Sequence, residues 1–180
     1  YYGGKRDQTS RNTRVNARVK AEALREFITV KDKIFVMGHQ LTDVDSFGAA
    51  IGIYRAANAL EKRAYIVINE VSASLKPLYT AYENNPDYPE RLFLNSAEAL
   101  ELADESSMVV VVDTNRPGMT ECEELLHVAK TIVVLDHHRQ SSDNIDNALL
   151  SYIEPYASSA CEMVSEVLQY IVDEIGRAHV

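Results

Sequence analysis

The sequence predicts an α/β fold, a mostly parallel sheet flanked by helices, on three observations. First, the runs at 33–37, 108–112 and 131–135 are continuous and largely β-branched, without polar alternation, which suits strands covered on both faces. Second, segments of helical length and periodicity lie between these runs, the pattern of strand–helix–strand units. Third, each run ends on residues suited to chemistry: Gly38-His39-Gln40-Leu41-Thr42-Asp43-Val44-Asp45-Ser46 after the first, Asp113 after the second, and Asp136-His137-His138 after the third.

In chain order, residues 11–28 lack Gly and Pro, and Val15, Val19, Leu24 and Phe27 fall near helical spacing, so 10–30 reads as a solvated amphipathic linker helix. The strand at 33–37 precedes an apolar helix opening at 47–54, which places His39, Asp43 and Asp45 in a strand-to-helix loop. A second strand is expected at 64–68, and a helix at 72–84 with Pro77 in its early turns. The stretch 84–89, with two prolines, reads as a loop. A short strand follows at 91–94 and a helix at 97–104. After Asp113, Asn115-Arg116-Pro117-Gly118 is a turn, and a helix covers 121–129. Beyond the third strand come a polar loop at 139–147, an edge strand at 148–153, and a helix at 158–172 capped by Ser158 or Ser159. In an open α/β sheet the ligand crevice lies just past the carboxyl ends of the strands, so three strand ends deliver their polar residues to one rim.

Composition narrows the classes of function. The chain has 180 residues, 46% hydrophobic and 25% charged, enough for one ordinary globular core. No apolar stretch approaches the ~18–20 residues a bilayer crossing needs. Residues 1–33 carry a net charge of +5 and the remainder −14. Such an acidic body argues against wrapping a long nucleic acid, whose affinity comes from Lys and Arg replacing counterions. A small anionic substrate remains compatible, because bound divalent ions would supply the positive charge. There is no phosphate-binding Gly-rich loop with its Lys, no Gly-x-Ser-x-Gly elbow and no Cys/His zinc cluster. Cys122 and Cys161 lack Cys-x-x-Cys spacing and are expected to stay reduced in a cytosolic setting; His127 is expected to serve only structure.

The residue types at the strand ends explain the chemistry they suit. Carboxylate oxygens together with imidazole nitrogens favour borderline cations such as Mn²⁺, Fe²⁺, Co²⁺ or Zn²⁺, whereas an all-oxygen set would favour Mg²⁺ or Ca²⁺. Two such ions roughly 3.5–4 Å apart can share a bridging carboxylate and support phosphoryl displacement. The expected reaction class is metal-dependent hydrolysis of a phosphoester or phosphoanhydride. Arg116, Ser158 and Ser159 are candidate phosphate contacts, the two serines through the free amides of the helix they start, though plain capping is an equal reading for them.

The His-x3-Asp-x-Asp-Ser spacing from His39 to Ser46, the strand-terminal Asp113 followed by Thr114, and Asp136-His137-His138 resemble the DHH phosphoesterase superfamily, which includes the exonuclease RecJ, nano-RNases and family II inorganic pyrophosphatases. The resemblance covers about 31–173. A narrower likeness, carried by Tyr2-Gly3-Gly4-Lys5, by Arg11-Asn12-Thr13-Arg14-Val15-Asn16-Ala17-Arg18-Val19 and by Tyr152-Ile153-Glu154-Pro155-Tyr156-Ala157-Ser158-Ser159-Ala160-Cys161-Glu162, is to the membrane-bound cyclic-di-AMP phosphodiesterases of the GdpP/YybT type.

That resemblance implies two Mn²⁺ ions, with Fe²⁺, Co²⁺ or Mg²⁺ as substitutes: His39 and Asp43 on one, Asp45 and His137 on the other, and Asp113 bridging. It implies that His138 faces substrate and that Asp136 orients the ligands from behind. It also implies hydrolysis of cyclic-di-AMP to 5′-pApA. The alternatives are a nano-RNase and 3′-phosphoadenosine-5′-phosphate phosphatase or a pyrophosphatase, and a non-catalytic nucleotide-sensing module.

By the same resemblance, residues 1–30 are a connector from an upstream sensor and degenerate GGDEF domain, and 31–173 a DHH catalytic domain that stops short of a further Asp ligand and of the DHH-associated domain. Residues 174–180, His179 among them, are expected to be a non-native tail, the fragment itself is expected to show little turnover, and a homodimer is compatible. The parent protein is expected at the cytoplasmic face of the membrane, and this piece to be soluble and cytoplasmic.

Overall fold

The computed structural model describes residues 2–178, with side chains described for 14–173 and for Ile175; His179 lies outside the described residues. Six parallel strands form one sheet in the order β3-β2-β1-β4-β5-β6, with β1 Lys33–Met37, β2 Arg63–Val67, β3 Phe93–Leu94, β4 Met108–Val112, β5 Thr131–Asp136 and β6 Leu150–Ile153. The expected α/β architecture is present, with β6 on the edge.

Alternate residues of the central strands face opposite sides, as a pleated strand requires. Ile34, Val36, Val110, Val112, Val133 and Leu135 belong to one buried layer, which is covered by α1 Tyr2–Thr29, α2 Val44–Ala59 and α6 Ala160–Ala178. Phe35, Met37, Val109, Val111, Ile132 and Val134 belong to the other, under α4 Ser96–Leu102 and α5 Leu125–Val128. Both faces are buried, so the strands need no polar alternation. The chain runs outward from β1 through β2 to β3, then returns to β4 on the opposite side of β1 and runs outward again. The winding therefore reverses between β1 and β4, and such a reversal leaves a crevice at the strands' carboxyl ends.

Several elements differ from the sequence expectation. The buried stripe of α1 is Ala17, Ala21, Leu24 and Ile28, while Val15 and Val19 are exposed. Small alanines let the helix lie close against α6, and Lys20 Nζ reaches the Ser151 carbonyl of β6 at 3.4 Å. The second half of α1 is thus packed on the core instead of being solvated. The helix expected at 121–129 is one turn, because Glu121 pairs with the loop after β1 through its backbone, its N–H donating to the Gly38 carbonyl at 3.0 Å. The helix expected at 72–84 begins at Lys76 (α3, Lys76–Glu83), and the strand expected at 91–94 is the two-residue β3. α6 continues through 174–178.

α2 and α6 approach closely at two glycines: a β-carbon on Gly48 would lie 3.1 Å from Cys161 Sγ, and one on Gly52 would lie 2.6 Å from Val164 Cγ1. Gly52→Ala is therefore expected to destabilise the fold by about 1–3 kcal/mol, although helix propensity alone would favour Ala by ~1 kcal/mol. Urea unfolding measures this, and adding Val164→Ala should recover part of the loss.

Candidate metal centre

The carboxyl ends of β1, β4 and β5, three adjacent strands, bring together His39, Asp43, Asp45, Asp113, Asp136, His137 and His138. The loop after β1 is pinned across the sheet end: Gln40 N–H donates to the Met119 carbonyl at 2.8 Å, and His39 pairs with Thr120 in an antiparallel bridge. His39 is thereby fixed over the end of β4.

Asp113 is the centre of the arrangement. It is 4% exposed and has φ of 62°, in the left-handed region that Asp tolerates better than most side chains. Its two carboxylate oxygens face different imidazoles: Oδ2 lies 3.3 Å from His39 Nε2, and Oδ1 lies 3.1 Å from His137 Nε2. Asp43 Oδ2 is 4.0 Å from His39 Nε2, and Asp45 Oδ2 is 3.9 Å from His137 Nε2. The site thus divides into two halves that share Asp113.

The outer carboxylates are oriented by helix starts. Asp43 is the N-cap of α2, where Oδ1 accepts the Ser46 N–H at 2.8 Å and Oδ2 stays on the His39 side. Asp45 sits in the first turn of the same helix and accepts the Cys161 and Ala160 N–H groups at the start of α6, at 2.8 and 3.1 Å. Two positive helix ends thus favour its charge. The α6 amides that the sequence offered to a phosphate are taken by Asp45. Ser159 Oγ caps the helix by accepting the Glu162 N–H at 3.1 Å, and the Ser158 hydroxyl bonds the Glu162 carboxylate.

Asp136 is fully buried and hydrogen-bonded on both oxygens. Oδ1 accepts the His137 N–H at 2.8 Å and lies 2.7 Å from His138 Nδ1, while Oδ2 accepts Asn115 Nδ2 at 2.7 Å. With Nδ1 of His138 engaged, its Nε2 edge is directed away from Asp136. The His138 side chain is 57% exposed and lines an open cleft of about 390 Å³ together with His39, Asp113, Arg116 and Arg139.

Two residues with roles here were not singled out from the sequence. Asn115, read only as part of a turn, holds Asp136 from behind and is itself 4% exposed. Glu121, read as a helix residue, accepts Thr42 Oγ1 at 2.8 Å and Asn69 Nδ2 at 2.9 Å, tying the loops after β1 and β2 together beneath His39. Burial raises its carboxyl above the ordinary range, and these hydrogen bonds oppose the shift. No local signal marks either residue, since their partners are distant in sequence.

His39 is held above the usual imidazole value, first by its hydrogen bond to Asp113, with burial acting against it. Among the described residues no Lys or Arg forms an ion pair with Asp43, Asp45, Asp113 or Asp136, whose partners there are imidazoles. Carboxylates clustered without a permanent cation, beside nitrogen donors, fit a divalent metal ion. Two groupings have ligand atoms within 4.8 Å of one another: Asp113, Asp136, His137 and His138, and His39, Asp43 and Asp113.

The DHH family, N-terminal domain, matches residues 33–179. The chain is 41% identical over 181 residues to the cyclic-di-AMP phosphodiesterase PdeA of Listeria monocytogenes, covering 98% of this chain and 27% of that protein. It is 40% identical over 172 residues to the cyclic-di-AMP phosphodiesterase GdpP of Bacillus subtilis, covering 94% and 26%. The chain thus spans about a quarter of the length of the curated relatives it matches. An exopolyphosphatase-related protein from Bacteroides fragilis superposes with a TM-score of 0.64 at 19% identity, covering 88% of this chain and 44% of that one, a likeness of fold alone.

Two outcomes are expected. The raised His39 value means that the protonated imidazole stabilises the metal-free fold at low pH, and that this contribution is lost as pH rises through the raised value. Mn²⁺ must displace that proton, so its affinity should fall as pH is lowered through the His39 titration, with proton release visible by calorimetry in buffers of different ionisation enthalpy. Asn115→Ala should cost about 1–3 kcal/mol in urea unfolding by leaving buried Asp136 short of a donor. It should also weaken Mn²⁺ binding by roughly 10–100-fold.

Proposed function

The chain belongs to the DHH family, and from that premise we propose that it carries the catalytic segment of a two-metal phosphodiesterase hydrolysing cyclic-di-AMP to 5′-pApA. The observation that carries the reading is Asp113, whose two oxygens face His39 and His137 separately, as a carboxylate shared between two cations would. His39 and Asp43 would hold one ion, Asp45 and His137 the other, with Asp113 between them. Oxygen and nitrogen donors together favour Mn²⁺, with Fe²⁺ or Co²⁺ as alternatives. When bound, the ions supply the positive charge that neutralises a phosphate and lower the pKa of water at the site.

The chain's own residues would do the rest. Asp136 fixes the ring of His138 through Nδ1, so that Nε2 can meet the leaving oxygen or its phosphate across the cleft. Arg116, on the same cleft, would contact a phosphate oxygen. Ser158 and Ser159 act in this reading as capping groups of α6. Residues 1–30 would connect to upstream sensing domains, 31–173 would be the catalytic domain, and 174–180 would be non-native sequence. Among the described residues no helix is long and apolar enough to cross a membrane, and the cytoplasmic membrane face proposed for the parent rests on the resemblance to the GdpP/YybT type.

Turnover by this chain alone is expected to be slow, because the cleft is open: Leu41 at its rim is 79% exposed, and water can enter freely. The test is Mn²⁺-dependent conversion of cyclic-di-AMP by the full-length protein, with linear pApA, cyclic-di-GMP and pyrophosphate in parallel. Release of pApA, reduced to background by Asp113→Ala, is the expected result. Preference for pApA or pyrophosphate would reassign the substrate, and tight nucleotide binding without turnover would make the chain a sensing module.

A further inference from the structure

Next to the proposed metal centre the cleft has a second chemical character that the ligand set does not use. Arg116 and Arg139 both line it, and among the described residues neither guanidinium has an ion-pair or hydrogen-bonding partner. The chain as a whole carries a net charge of −9, so these two cations stand out beside the acidic metal centre. The same cleft is lined by Leu41 and Met119, 79% and 44% exposed. Their proximity is built in: Gln40 N–H donates to the Met119 carbonyl at 2.8 Å, and Gln40 Nε2 donates to the Gly118 carbonyl at 3.0 Å. The loop after β1 and the segment after β4 therefore present two apolar side chains to the same cleft. Within the described residues both side chains leave apolar surface on the cleft.

We propose that this wall is the specificity subsite for a nucleotide, with Arg116 and Arg139 gripping the phosphate that is not being cleaved and Leu41 and Met119 covering the face of a base. The inference rests on the cyclic-dinucleotide reading and deepens it. A planar arginine fork suits phosphate oxygens, and an apolar wall beside it suits the flat face of a purine. The cleft of about 390 Å³ falls at the lower end of the range of small-molecule ligand sites. Pyrophosphate would use the arginines alone, whereas a dinucleotide would use both halves of the wall. The subsite thereby separates the two substrate classes by the apolar half.

The test measures binding by calorimetry in EDTA, where turnover does not interfere, using cyclic-di-AMP and pyrophosphate as probes and the full-length wild type, Arg139→Ala and Leu41→Ser. Arg139→Ala should weaken both ligands, by about tenfold for a lost charged contact. Leu41→Ser should weaken cyclic-di-AMP several-fold while pyrophosphate binds as before. In the Mn²⁺-loaded protein the Arg139→Ala change should appear in KM more than in kcat. The proposal is overturned if the wild type binds no cyclic-di-AMP in EDTA, if neither variant changes its affinity, or if Leu41→Ser weakens both probes equally. Absent turnover by a wild type that still shows this crossed binding pattern would refute the phosphodiesterase reading and leave the subsite standing.

Discussion

One buried carboxylate between two imidazoles constrains the rest of this molecule. Asp113 is 4% exposed, is held in a left-handed backbone conformation, and has His39 and His137 on its separate oxygens. For both histidines to reach it, β1 and β5 must flank β4 at the same level, which the parallel register from Ile34 against Met108 and from Met108 against Thr131 provides. The reversal of winding between β1 and β4 leaves space above that point. A change in strand order would separate the histidines, and a register slip of one residue would exchange the two buried layers of the slipped strand and shift its end out of line with Asp113.

Concentrating carboxylates at a strand end is unfavourable unless each is paired or solvated by fixed dipoles. The chain meets this with backbone and amide groups instead of lysines. Asp45 accepts two amides of α6, Asp43 caps α2, and Asp136 takes Asn115 and the His137 amide. These donors fix the carboxylates without neutralising them, which leaves the net negative charge available to a divalent cation. The close approach of α2 and α6 at Gly48 and Gly52 belongs to the same design, because the start of α6 must lie against the first turn of α2 for its amides to reach Asp45.

Much of the architecture was legible in the sequence because it is local. The central strands announced themselves through unbroken apolar runs, and each candidate ligand stands within eight residues of a strand end. The helix expected at 121–129 and the apolar face expected of α1 differ from the structure for one shared reason: periodicity reports which residues could be buried, whereas the partner decides which are. Val15 and Val19 have helical spacing, yet α6 accepts the narrow alanine stripe of Ala17 and Ala21 instead. Glu121 has helical neighbours, yet its side chain is claimed by Thr42 and Asn69 from two other loops.

The sequence by itself determined the fold class, the strands and the set of carboxylates and imidazoles at their ends, because burial on both faces and the residue types of a metal site are written into consecutive residues. Only the tertiary structure decided how those residues meet: that the oxygens of Asp113 are divided between two histidines, that α6 spends its first amides on Asp45, and that Asn115 stands behind Asp136. Each of these contacts joins residues at least 21 positions apart in the chain. Strand order and helix packing bring such residues together, and neither is encoded in any short window of sequence.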